Sequence, residues 1–535
     1  MEEVTPHTLP HRPTVLVILD GFGVANHSPA NAISEAKTPN FDHIIATYPT
    51  LTLQASGEAT GLPWGESGNS EVGHMNIGAG RIVSQELTRI NQEISNGRFF
   101  ENLAFVDSIT YAKEHNSRLH LLGIVSSGGV HSHIDHCFAL LELCKQKEFT
   151  NVAIHVILDG RDAPYASGLA YIEKLEAKML ELGVGQIASI SGRFYAMDRD
   201  NHWDREEKAY RAIVEGKSER LFDSATKAID EGYHNSMYDE EFVPTVITKK
   251  NKPLAPFASN DAVIFFNFRA DRARQLTQAL SVPEFSRFER TSIEGLHIVT
   301  MTQYESKTPV VVAYPPIATP DSLGEVISKQ GLTQLHIAET EKYAHITYFL
   351  NNGKEQPLLG ETRILVPSPS VESYAEKPEM SAREIADTVA KKIQNEEFDF
   401  YAVNFANADM VGHTGKLKET IRAIETLDQC IGIIMKAVLA KNGALVITAD
   451  HGNAERMYDL QTGEIDKNHT NNPVPLMIIA KDLEGHSVGS VDIPGNDLSV
   501  LEPSGILSDV APTVLALMDI PKAPEMTGSD LLNLS

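Results

Sequence analysis

The chain has 535 residues, 42% of them hydrophobic and 22% charged, with a formal net charge of −26. These figures fit a soluble globular protein of two or more domains. The negative balance excludes a general nucleic-acid binder, which needs a positive surface to meet phosphates. No stretch approaches the ~20 apolar residues of a membrane span. The start, MEEVTPHTLPHRP, is polar and proline-broken, so no secretory signal is expected. The three cysteines, Cys137, Cys144 and Cys430, form no CxxC pair, and reduced thiols in a cytoplasmic protein are expected.

The first element, TVLVILDGFG, is a near-continuous apolar run, as a strand buried on both faces would show, and it ends at Asp20. GNSEVGHMNIGAG, residues 68–80, sets Ser70 among small residues at the start of a helical run. Alone, that serine reads as a helix cap. As a nucleophile it would gain from the free N–H groups of a helix N-terminus.

From about residue 85 to 315 the pattern continues with different chemistry. SRLHLLGIVSSGGVHSH is a strand and glycine turn with His131 and His133, VAIHVILDGRDAP a strand before Arg161 and Asp162. IASISGRFYAMDRD leads to Arg193 and Arg199, DAVIFFNFRADRAR to Arg269 and Arg272, and LHIVTMTQY is a further strand. Proline-rich SKTPVVVAYPPIATPDS reads as a return linker. SAREIADTVAKKIQNEEF is an amphipathic helix, and FDFYAVNFANAD a strand reaching Asp409. ADMVGHTG puts Asp409 and His413 at i and i+4, on one helix face. KETIRAIETLDQCIGIIMKAVLAKNG is a helix with Gly443 as its expected C-cap. GALVITADHGNAE ends in Asp450 and His451, and KNHTNNPVP carries His469 on a proline-bounded loop.

Alternating strands and helices predict an α/β fold, in which sites gather at the carboxyl ends of strands. The carboxylates at strand ends belong to the outer segments and the arginines to the inner one. The expected organisation is therefore a discontinuous metal-binding domain, residues 1–84 and 316–535, with an α/β substrate-binding domain, 85–315, inserted in it. Asp20, Asp409 and Asp450 with His413, His451, His469 and the oxygen of Ser70 suffice for two ions. Mixed nitrogen and oxygen donors suit Mn²⁺ or Zn²⁺ better than Mg²⁺. Two such ions would stabilise a serine alkoxide without a His–Asp relay and clamp a phosphoryl group. Each piece alone is weak, since an Asp at a strand end is often a turn residue. Their convergence at one end of one sheet carries the reading. Spacing leaves open whether His131 and His133 are ligands or surface residues. The arginines read either as a salt-bridged surface, GRDA and RADRAR supplying their own aspartates, or as capture of carboxylate and phosphate. The second reading explains how so acidic a chain would hold an anion.

LDGFG, GNSEVGHMNIGAGR, GGVHSH, DGRD, SGRFYAMDRD, FNFRADRARQ, NADMVGHTG, TADHGNAE and APEMTG, in this order, resemble the cofactor-independent phosphoglycerate mutases of the alkaline phosphatase superfamily. The resemblance runs from about residue 13 to the C-terminus. It implies an alkaline-phosphatase-like parallel-sheet core and interconversion of 3-phosphoglycerate and 2-phosphoglycerate through a phosphoserine at Ser70. It implies two Mn²⁺, or other divalent ions, one held by Asp20, Ser70, Asp450 and His451, the other by Asp409, His413 and His469. It implies substrate contacts from His131, Arg161, Asp162, Arg193, Arg199, Arg269, Arg272 and Lys342, and a monomer whose partner is the small-molecule substrate. The chain departs from the pattern at Ala408, usually proline, at Asp466, usually histidine, and in FLNNGKEQP. Asp466 is the departure that could alter the surroundings of a ligand. Two alternatives remain at this stage. One is a phosphatase or phosphopentomutase of the same superfamily, although the arginines suit a small acid better than a sugar. The other is a non-catalytic metal- or phosphate-binding protein in which Ser70 is only a cap.

Overall fold

A computed structural model describes residues 9–316, 320–486 and 496–532. The chain divides into two compact units, Met1–Gln85 with Ala318–Ser535, and Glu86–Ile317. Each is built on its own sheet.

In the first unit the sheet has eight strands among the described residues, in the order Glu361–Val366, Gln334–Glu339, Phe400–Phe405, Thr14–Leu19, Ala444–Thr448, Val474–Ile479, Thr50–Gln54, Gly505–Ile506. Thr14–Leu19 lies at its heart, and every residue of it is buried. It runs parallel to Phe400–Phe405 with Leu19 beside Phe405, and to Ala444–Thr448 with Ile18 beside Thr448. This register brings Asp20, the helix that follows Phe405 and Asp450 out of the sheet at one edge. The core is parallel as expected, with one antiparallel member. Val474–Ile479 is antiparallel to Ala444–Thr448 and to Thr50–Gln54. No crossover helix joins Thr448 to Val474, so the chain turns back at the carboxyl end of the strand, and His469 lies on that turn.

Helices clothe the sheet by periodicity. Ala382–Gln394 buries Ala382, Ile385, Ala386, Val389, Ala390 and Ile393, spaced as one helical stripe, and packs on the long helix Leu417–Ala440. Gly443 does not cap that helix. Lys441 closes it, and Asn442 takes the left-handed backbone with φ 56°. Gly443 serves a close approach instead, because a Cβ there would lie 2.2 Å from the Pro13 carbonyl oxygen.

The second unit has a nine-stranded sheet, in the order Val311–Tyr314, His297–Thr302, Ala262–Phe265, Leu119–Ile124, Val152–Leu158, Gln186–Gly192, Thr245–Lys249, Arg220–Phe222, with Lys252–Pro253 paired to Thr245–Lys249. Val311–Tyr314 is a strand of this sheet, so the segment read as a return linker is in part a strand; its residues 317–319 lie outside the described set. His131, Arg161, Arg193 and Arg269 all follow carboxyl ends of its strands. Among the described residues no helix is long and apolar enough to cross a membrane, and all three cysteines are buried free thiols.

Gly73 shows how closely the Ser70 helix packs on the sheet edge. A Cβ at this position would lie 2.5 Å from the Asp450 carbonyl oxygen and 2.7 Å from its Cβ. Gly73→Ala is therefore expected to displace the helix and lower stability by about 1–3 kcal/mol, read as a lower urea midpoint. An unchanged midpoint would show that the helix can move freely.

Candidate active site

The helix Ser70–Ala79 is capped by Asn69, whose side chain accepts from the Val72 N–H at 3.0 Å. Ser70 is thus the first helical residue and not the cap, and its hydroxyl is left for other partners. The side chain is 7% exposed. Its Oγ lies 3.1 Å from Asp20 Oδ1 and 3.0 Å from His451 Nε2, and it accepts from Lys342 Nζ at 2.7 Å.

Lys342 is at the centre of the cluster. Its ammonium donates to Asp20 Oδ1 at 2.5 Å, to Ser70 Oγ at 2.7 Å and to Asp409 Oδ2 at 2.7 Å, which uses all three of its protons. Burial works against this charge, yet Asp20, Asp409 and Asp450 together hold the ammonium well above the usual lysine range. Burial likewise acts to raise Asp20 and Asp409, but Lys342 and the nearby imidazoles hold both carboxyls well below the usual carboxylate range.

The three imidazoles share one arrangement. Nδ1 of His413 faces Lys467 O at 2.6 Å, that of His469 faces Gly68 O at 2.9 Å, and that of His451 faces Gly452 O at 3.2 Å. A carbonyl can only accept, so each Nδ1 carries the proton and each Nε2 presents a lone pair inward. Backbone carbonyls orient metal-binding histidines in this way. His413 Nε2 and His469 Nε2 stand 3.1 Å apart, and Asp409 Oδ1 lies 3.1 Å from the first and 3.3 Å from the second. Lone pairs aimed at one another this closely need a cation or a proton among them. Asp450 points the same way, for its buried Oδ2 makes no hydrogen bond, and the His74 Nδ1 that lies 3.1 Å from it already faces the Ser70 carbonyl at 2.9 Å. Two groups converge, Asp409 with His413 and His469, and Asp20 with Asp450 and His451, the ligand atoms of each within 4.8 Å of one another. The residues present fit two divalent ions. Without metal, protons take their place. Burial disfavours a charged His451, but the Asp450 charge and the bond to Asp20 push it up to about 9, and Asp409 raises His413.

Sequence reasoning missed the residues that hold these ligands in place. Asn404 donates to Asp20 Oδ2 at 2.9 Å and lies 3.0 Å from His74 Nε2. Asn453 donates to Asp409 Oδ1 at 3.1 Å. Both are uncharged and unmarked by any motif spacing; position near a strand end was the available signal. Asp466 does not reach the ligands. It pairs with Arg456 at 2.9 Å.

In the second unit the arginines meet around carboxylates. Arg193, 3% exposed, donates through Nη1 to Asp159 Oδ1 at 2.7 Å and Asp162 Oδ2 at 2.5 Å. Arg199 and Arg269 both pair with Asp271 at 3.2 Å. Arg161 lies 3.5 Å from Glu240, and Arg272 donates to Met197 O at 3.2 Å. Burial together with Arg199, Arg193 and Arg161 pushes Arg272 below its ordinary value, which places these charges near one another. Buried His131 lies 3.9 Å from Asp162 and 3.5 Å from Asp271. Burial and the Arg193 charge push it down to about 4, so it is neutral at pH 7. His133 instead caps the helix Ile134–Gln146. Of the residues implied to touch substrate, Lys342 alone stands with the metal-ligand set and not with the arginines.

Residues 90–306 match a family model described as the BPG-independent PGAM N-terminus, and residues 336–490 match Type I phosphodiesterase / nucleotide pyrophosphatase. The chain is 50% identical over 522 residues to the 2,3-bisphosphoglycerate-independent phosphoglycerate mutase of Clostridium beijerinckii, covering 97% of this chain and 99% of the relative. It is 49% identical to that of Moorella thermoacetica, covering 98% of each. A crystal structure of Leishmania mexicana phosphoglycerate mutase at low cobalt concentration aligns with a TM-score of 0.65 and 30% identity, covering 98% of both chains.

Protons and metal compete for the same nitrogens, and this fixes a pH dependence. In the metal-free protein, His451 is raised from 6.5 to about 9, so its contribution to stability is full below pH 6.5 and is lost as pH rises through about 9. Added Mn²⁺ is expected to raise the melting temperature more at pH 9 than at pH 6.5. A metal-induced shift that does not change across this range would contradict the ligand assignment.

Proposed function

The chain belongs to the 2,3-bisphosphoglycerate-independent phosphoglycerate mutases, and from that we propose how its residues interconvert 3-phosphoglycerate and 2-phosphoglycerate. Ser70 is the residue that carries the phosphoryl group between the two hydroxyl positions of glycerate. The observation that carries this reading is the serine hydroxyl itself, freed from capping by Asn69 and surrounded by Asp20, His451 and Lys342.

Asp20, Asp450, His451 and Ser70 would hold one ion, and Asp409, His413 and His469 the other. We assign Mn²⁺ because the donors mix imidazole with carboxylate. When bound, such ions supply the positive charge that favours a serine alkoxide and neutralises phosphoryl oxygens. Lys342 adds a fixed positive charge at the same oxygen. Ser70 gives up its hydroxyl proton, its Oγ attacks phosphorus in line, the bond from phosphorus to one glycerate oxygen breaks, and that oxygen takes up a proton as it leaves. In the second half the other hydroxyl of glycerate gives up a proton and attacks the phosphoserine, and Ser70 is released. In this reading His131 or Asp162 would move these protons.

The second unit's part is to keep glycerate. Arg193, Arg199, Arg269, Arg272 and Arg161 offer guanidinium N–H groups to its carboxylate and hydroxyls. A single chain supplies every residue in this scheme, so a monomer suffices, and its buried thiols suit the reducing cytoplasm.

Two outcomes test the reading. Ser70→Ala should fold and bind metal, yet form no acid-stable phosphoenzyme and show no isomerase activity; clear activity would remove Ser70 from the mechanism. Arg269→Ala should lose about 1.5–3 kcal/mol of transition-state binding, roughly 10- to 150-fold in kcat/KM. Its ratio of 3-phosphoglycerate hydrolysed to isomerised should rise, because loosely held glycerate escapes and water replaces it. Both activities falling in step with a lower melting temperature would make Arg269 a structural brace.

A further inference from the structure

Asp271 lies in the RADRAR run between Arg269 and Arg272, yet besides Arg269 of its own run it reaches two other segments of the second unit. Its Oδ2 accepts from Arg199 Nη1 at 3.2 Å, and its Oδ1 faces Arg269 Nε at 3.2 Å and His131 Nδ1 at 3.5 Å. His131 follows the strand Leu119–Ile124, Arg199 follows the helix Arg193–Ala196, and Arg269 follows the strand Ala262–Phe265. One carboxylate therefore joins an imidazole and a guanidinium group from two other places in the chain to the arginine of its own run.

The contact with His131 is the informative one. His131 Nδ1 and Asp271 Oδ1 are both buried, and neither has a hydrogen-bond partner. Two unsatisfied buried atoms of complementary kind facing each other at 3.5 Å need only a few tenths of an ångström to meet. A carboxylate can only accept, so both are satisfied when the ring proton sits on Nδ1. With the proton on Nε2, a nitrogen lone pair would face the carboxylate oxygen and neither atom would gain a hydrogen bond. The Nδ1–H form leaves the Nε2 lone pair facing Asp162 Oδ2, 3.9 Å away, an oxygen already engaged by Arg193 at 2.5 Å.

We propose that Asp271 is a positioning residue: it fixes His131 as the Nδ1–H tautomer with Nε2 free, and holds one edge of Arg199 and of Arg269. The outer N–H groups of the two guanidinium groups then remain for an anionic ligand. This role rests on the reading of the arginine cluster as the hold on glycerate, but the tautomer itself does not depend on it. Asp271 need not touch substrate. It acts through the three side chains it orients, as a buried carboxylate does for the histidine of a hydrolytic triad.

The test uses the full-length chain labelled with ¹⁵N-histidine and its Asp271→Asn variant. In the unmodified protein, nitrogen chemical shifts should show the His131 proton on Nδ1. In Asp271→Asn it should move towards Nε2, while kcat for 3-phosphoglycerate falls by more than roughly 10-fold and the melting temperature stays within its error. An Nε2–H tautomer in the unmodified protein, or an unmoved tautomer and kcat in the variant, would overturn the proposal. Should the variant fold poorly, the unmodified protein's tautomer decides alone. If Arg193→Ala and Arg269→Ala left isomerisation intact, the glycerate reading would fail, and the tautomer result would still judge the role of Asp271 towards His131.

Discussion

Three buried carboxylates cannot stand together unless positive charge stands among them. Asp20, Asp409 and Asp450 are each 2% exposed or less, and each repels the others. At about 4 Å and an effective dielectric near 20, one such pair costs about 4 kcal/mol. Lys342 compensates a single charge of the three. Burial costs each group its hydration as well. The remaining charge must be met by protons on His451 and His413 or by divalent cations. The site is therefore a candidate cation receptor, and the chemistry proposed for Ser70 would follow from the charge it collects.

The scaffold makes that crowding possible. Parallel pairing with matched register forces Asp20, Asp409 and Asp450 to leave the sheet at one edge. The antiparallel return through Val474–Ile479 brings His469 back to the same edge. Backbone carbonyls of Gly68, Gly452 and Lys467 then fix which nitrogen each histidine presents. Glycine at 73 lets the serine helix approach the Asp450 backbone. In the second unit the sign is reversed. Arginines gather there, with Asp159 and Asp162 holding Arg193, and Asp271 holding Arg199 and Arg269. On the proposed reading, an acidic chain would bind an anion by this local arrangement and not by its overall charge.

Much of this was legible in the sequence because strand-end residues are placed by the sheet. Asp20, Asp450 and His451 follow apolar runs directly, and Asp409 and His413 are tied by helical spacing. What the sequence did not disclose depends on contacts between distant segments. Lys342 sits in a short polar turn after Gln334–Glu339 and meets Asp20 across 322 positions; apart from the family resemblance nothing in AETEKYAH marks it. Asn404 and Asn453 are neutral and ordinary in type. Asp271 was visible but reads as the local partner of its own arginines. Gly443 looked like a cap, whereas its use is the close approach of Pro13, and the direction of Val474–Ile479 is not encoded in an apolar run.

Anomalous diffraction from crystals grown with Mn²⁺ tests the cation receptor most directly. The account predicts two peaks, one among Asp20, Ser70, Asp450 and His451, the other among Asp409, His413 and His469, with the Lys342 ammonium moved away from at least one carboxylate. A single peak, or peaks outside these residues with the ammonium still bonded to Asp20 and Asp409, would contradict it.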